Sequence, residues 1–200
     1  MMLMLLVRPF IQERIGIRIL MDIFFSLILF SGVFALRQKK ERILIGVFIA
    51  LPMFAGLWTI HFVELPAVLS IVHSLGIVFF GVTITTILSH LFKEDEVTFD
   101  LMNGGICGYL MIGMMWAMMF SVLEGLNPES FFMAHNQGKD IENFIYFSFV
   151  TLTTLGYGDI TPLTGPARSL VMLEAIVGQL YLTVFIARLV GLHISQSMKK

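Results

Sequence analysis

Residues 151–162 read TLTTLGYGDITP: four threonines, two glycines flanking a tyrosine, and an acid, set in a strongly apolar chain. What such a stretch offers is oxygen, in main-chain carbonyls with threonine hydroxyls beside them. An ordinary strand alternates its carbonyls between two sides. Gly156 and Gly158, at alternate positions, supply the positive-φ freedom that lets consecutive carbonyls turn to one side. A row of oxygens facing one way can replace the water around a cation. Uncovered backbone of this kind is tolerated at membrane depth only where protein buries it or it faces a water-filled path.

The rest of the chain says that membrane depth is the right setting. Of 200 residues, 57% are hydrophobic and 14% charged, which is too apolar for a soluble domain. The net charge of -1, with no long basic run or acidic tail, argues against nucleic acid or a charged protein partner. Cys107 is the single cysteine, so an intrachain disulfide and a cysteine metal cluster are both excluded. The five histidines show no ligand spacing. The apolar start ahead of the first arginine reverses the order of a secretory signal, and we read the N-terminus as retained.

A helix needs roughly 20 apolar residues to cross about 30 Å of hydrocarbon. Five stretches qualify: 19–36, 43–60 with Pro52 as a kink, 65–92, 101–123 and 169–187. Between the last two, Asn127-Pro128 ends a span, a polar stretch follows, and 141–153 reads as a short helix with Asp140 at its N-cap. At about 20 Å that helix cannot span. With the quoted dodecapeptide behind it, the chain dips in as a helix and returns as extended backbone. The expected fold is an all-α membrane protein with about five transmembrane helices, a re-entrant pore helix and a filter loop.

Thr154-Leu155-Gly156-Tyr157-Gly158, followed by Asp159, resembles the selectivity-filter signature of the tetrameric potassium channels, with Leu155 where the usual form has valine. The resemblance covers about 90 residues, from outer helix to inner helix. It implies that the carbonyls of Thr154, Leu155, Gly156 and Tyr157, with the Thr154 hydroxyl innermost, coordinate potassium by the carbonyl mechanism established for that family. Potassium is then the transported ion, and no organic cofactor is expected. One loop supplies a quarter of a ring, so the resemblance implies a closed homotetramer. The negative pole of the 141–153 helix would face the ion path below the filter. Aligned on the filter, Tyr146 stands where many members carry a tryptophan that hydrogen-bonds the following acid, and a Tyr146–Asp159 bond is expected. Val150 stands where some members carry a glutamate.

Gly178 lies 19 residues after Asp159, at the spacing of the family's bending glycine, and reads either as a hinge or as a packing site. From it Leu182, Ile186 and Val190 recur every fourth residue on one face; we assign them to the cavity and cytoplasmic constriction, with Gln179 near the top. Ordinary helix or lipid contact is the competing reading. Glu174, an acid inside a span, is a functional candidate by default: it either braces the back of the filter or is hydrated near the outer surface. Arg188 reads as snorkelling to headgroups.

We divide the chain into an N-terminal membrane region, 1–100, with three spans, and a pore domain, 101–200, with outer helix 101–124, pore helix 141–153, filter 154–158 and inner helix 167–193. No span repeats arginine every third residue, so the first region does not resemble a voltage sensor. Family orientation puts eight of the thirteen basic residues inside, in accord with the positive-inside rule. Arg8, Arg14 and Arg18 then fall outside, which leaves the side of the N-terminus open. The sequence therefore describes a multi-pass protein of a cell membrane, plasma or inner, with no enzymatic constellation and no soluble ligand domain. Its expected function is passive, potassium-selective conduction. The alternative is a non-conducting regulatory or assembly subunit of a cation channel.

Overall fold

A computed structural model describes residues 66–134 and 139–198. The first two predicted spans, 19–36 and 43–60, lie outside these residues. Packing divides the chain into Met1–Phe79 and Phe80–Lys200. Of the first unit only the start of helix α1 (Pro66–Leu91) is described. The second contains the end of α1, α2 (Phe99–Leu126), strand β1 (Phe131–Met133), α3 (Ile141–Leu152), β2 (Ile160–Pro162) and α4 (Gly165–Met198).

Three of these helices are long and apolar enough to cross a membrane. At the usual rise α1, α2 and α4 measure about 39, 42 and 51 Å, against about 30 Å of hydrocarbon, so each tilts or projects beyond it. Helix α2 starts where the Thr98 side chain accepts from the Leu101 amide at 3.1 Å, with Asp100 in the favourable first turn. It ends ahead of Asn127-Pro128, since a residue before proline disfavours helix. Helix α3 has 12 residues, about 18 Å, too short to span. Asp140 occupies its N-cap position, but the cap is made by backbone alone: no side-chain cap bond forms, and the Asp140 carbonyl accepts from Asn143 and Phe144.

Among the described residues, α1, α2, α3 and α4 overlap the stretches 65–92, 101–124, 141–153 and 167–193 read from the sequence, and the last continues five residues past 193. The two-stranded sheet is new. β1 and β2 pair antiparallel, with Phe131 opposite Pro162 and Met133 opposite Ile160. Flanking bonds from Ala134 N to Asp159 O, 2.9 Å, and from Leu163 N to Ser130 O, 2.8 Å, extend the ladder. This ribbon ties the chain leaving α2 to the chain leaving the pore loop.

An aromatic core locks it in place. Phe120 of α2, Phe131 of β1, and Phe144 and Phe147 of α3 are all buried. Phe131 meets the other three with ring centroids 5.3 to 5.6 Å apart, mostly edge to face. Such pairs contribute about 0.5–1.5 kcal/mol each beyond their burial. Glu124, near the end of α2, is a second fastening: its carboxylate accepts from the amides of Glu129 (2.8 Å) and Phe131 (3.1 Å) and pairs with Lys139.

Candidate functional site

The four carbonyls at the C-terminal end of α3, orphaned in any helix, all find partners. Phe149 O accepts from Thr153 N and from the Thr153 hydroxyl. Val150 O accepts from Leu155 N at 2.9 Å and Thr151 O from Thr154 N at 2.9 Å. Leu152 O accepts from the Tyr109 hydroxyl of α2 at 3.2 Å. The first amides of the loop are thereby folded back onto the helix that precedes it.

The loop's own carbonyls are left differently. Among the described residues no donor reaches the carbonyl oxygens of Thr154, Leu155, Gly156 or Tyr157, and residues 153–158 are all exposed in the single chain. The backbone hand alternates along this stretch. Thr154, Gly156 and Gly158 have φ of 58°, 59° and 80°, whereas Leu155 and Tyr157 are not in the positive-φ region. Gly156 and Gly158 adopt this without a Cβ penalty. Thr154 does not: a β-branched residue there is a true outlier, a strain of order 1–3 kcal/mol that the surroundings must sustain.

Asp159 anchors the far end. The Tyr146 hydroxyl of α3 donates to its Oδ2 at 2.7 Å, the contact expected from the sequence, and the Ile160 amide donates to its Oδ1 at 3.1 Å. Burial, the hydrogen bond and the carboxylate charge push the Tyr146 hydroxyl up to about 12, so on this short, non-spanning helix it remains a donor at neutral pH. The loop is thus held at both ends, by α3 on one side and by Asp159 and the ribbon on the other.

Behind it stands α4. Glu174 is fully buried rather than hydrated at a surface. Its Oε1 lies 2.5 Å from the Ser148 hydroxyl of α3, which also lies 2.7 Å from the Gly113 carbonyl of α2. One side chain therefore gathers three helices, while Glu174 Oε2 has no partner. Gly178 is buried, and α4 runs unbroken through it. A Cβ there would sit 2.6 Å from the Leu152 carbonyl and 2.9 Å from Leu152 Cδ1, so the position is one of close packing. Gln179, Ile186 and Val190 are exposed and Leu182 half-exposed. Exposure runs round most of α4, where only Ala167, Glu174 and Gly178 are buried, so exposure by itself does not single out that face.

Two contacts lay beyond the sequence reading. Arg188 does not stretch to headgroups but donates to the carbonyls of Leu91 (3.2 Å), Phe92 (2.8 Å) and Glu94 (2.7 Å), closing the C-terminal end of α1. The Tyr181 hydroxyl donates to Gly105 O at 2.6 Å, fastening α4 to α2. Buried phenols seek acceptors, so Tyr109 and Tyr181 inside apolar spans were the available signal.

Membrane-crossing helices around a short re-entrant helix and an extended loop define a pore-loop membrane protein. Residues 105–193 match the family model described as ion channel, and that segment is similar to this family. No curated protein and no solved structure matches the chain.

Proposed function

We propose that the protein is a potassium channel in which four copies surround one axis and conduct passively through the 154–158 loop. The observation that carries this reading is the alternating hand of Thr154 to Gly158 together with carbonyls that no described residue caps. Alternation of hand gathers successive N–H groups on one side and so sends their carbonyls to the other. The carbonyls of Thr154, Leu155, Gly156 and Tyr157 and the Thr154 hydroxyl are the proposed potassium ligands, potassium being cargo. Asp159, Tyr146 and Glu174 support the loop, and Gln179, Leu182, Ile186 and Val190 line the path below it.

Fourfold assembly is supported by what one chain leaves uncovered. Leu155 and Tyr157 are 55% and 67% exposed; with their carbonyls turned to the axis these side chains point away from it, and neighbouring copies would cover them. In the most apolar window of α2, 56% of residues are buried inside the chain, against 11% for α4; α4 must find its neighbours elsewhere, in lipid or in other copies. Reconstituting the purified protein in liposomes tests the reading. The expected result is potassium flux that exceeds sodium flux and is blocked by barium. A correctly assembled homomer that passes no cation would overturn it in favour of a regulatory subunit.

A further inference from the structure

Between α1, α2 and the C-terminal half of α4 lies a cavity of about 410 Å³, within the size range of small-molecule sites, roughly 300–1,000 Å³. Ile84 and Leu88 of α1, Trp116 of α2, and Tyr181, Val184 and Arg188 of α4 are among its walls. Of the polar atoms of these walls, the Tyr181 hydroxyl is committed to Gly105 O and Arg188 Nε and Nη2 to the end of α1, while Trp116 Nε1 is buried without a partner. What faces the space is carbon, and the space is half open, so that in a bilayer apolar molecules can enter it.

Its dimensions select the occupant. Along α4 the lining runs from Val177 to Leu189, about 18 Å at the helical rise, close to the roughly 15 Å that is half of a bilayer's hydrocarbon. One end lies at Arg188, beside the closing carbonyls of α1 and the charged loop that follows. The other end lies at Trp116, deep within its span. Among the described residues nothing accepts from Arg188 Nη1; at the other end the Trp116 ring N–H is also without a partner, but it is buried, so the charged donor stands at the polar end. The space is one leaflet deep, with a wet end and a dry end.

We propose that this cavity holds a single acyl chain of a bilayer phospholipid, inserted between α1 and α4 with its ester end at Arg188. The chain acts as a removable part of the packing: it props α4 away from α1, so the lipid occupying the cavity sets the position of the C-terminal half of α4. This inference requires the helices to cross a membrane but not that the protein conducts potassium.

The two tryptophans make a direct test available. A Trp58→Phe variant keeps Trp116 as the single tryptophan, and Trp116 is only 6% exposed, so lipid outside the cavity reaches it poorly. In bilayers of phosphatidylcholine brominated along the acyl chain, Trp116 emission is expected to be quenched relative to unbrominated lipid. Filling the cavity with Val184→Phe, or independently with Leu180→Phe, should restore the emission, with assembly checked by size exclusion. Equal emission in the two lipids, or quenching that both filled variants leave unchanged, would overturn the proposal. Because the readout is fluorescence, a protein that fails to pass potassium still answers the question.

Discussion

The Tyr146 hydroxyl that meets Asp159 at 2.7 Å is a small contact with a defined consequence. Tyr146→Phe removes one hydrogen bond at a partly exposed site and is expected to cost about 0.5–1.5 kcal/mol, read as a lower thermal unfolding midpoint in detergent. Tyr146→Trp restores an N–H donor and should recover most of the loss. Gly178 makes a sharper prediction. In Gly178→Ala the new methyl meets the Leu152 carbonyl first, and overpacking of this kind costs about 1–3 kcal/mol. Adding Leu152→Ala removes the side-chain contacts but not the carbonyl, so the double variant should remain destabilised. Rescue by Leu152→Ala would show that the side chain, not the backbone, limits the approach. At this scale the sequence was partly legible. The motif paired Tyr146 with Asp159 because register from the filter fixes that spacing. Nothing local paired Glu174 with Ser148, 26 residues apart, since that contact depends on how α4 packs on α3.

Among the elements, the spans were read from length and hydropathy because bilayer thickness sets a minimum that few other structures meet. The β1–β2 ribbon escaped notice for the opposite reason: its three-residue strands, one ending in Pro162, are too short for any periodicity. Its stability rests on Glu124, whose carboxylate satisfies two amides. Glu124→Ala leaves both without this acceptor and should cost roughly 1–3 kcal/mol for each amide left unsatisfied. Lys139→Ala removes only the exposed partner of the ion pair and should cost about 0–1 kcal/mol. Comparable losses in thermal melts of the two variants would contradict this account. Arg188 has a similar status at the other end of the molecule. Arg188→Gln withdraws a cation from the negative end of α1, and hydrogen exchange at residues 92–96 should quicken while exchange in α3 is unchanged.

For the whole molecule, α4 is the element least explained by its own chain. If copies surround an axis, Ile186 and Val190 face water and the opposite flank faces lipid. In a Cys107→Ser background, Ile186→Cys and Val190→Cys should react with a membrane-impermeant thiol reagent and reduce flux, while Val184→Cys, on the opposite flank of α4, should not. Uniform reactivity along α4 would remove the support for that assignment.

Thr154 carries one more consequence. Its left-handed φ of 58° means that the loop is a spring held compressed by its anchors. An ion that settles only in the compressed form adds its binding free energy to that form, about 2.7 kcal/mol at a hundredfold excess over its dissociation constant. The melting temperature of the assembled protein should therefore climb with potassium and fall back when a bulky organic cation replaces it, which makes heat resistance a gauge of what the loop prefers to hold.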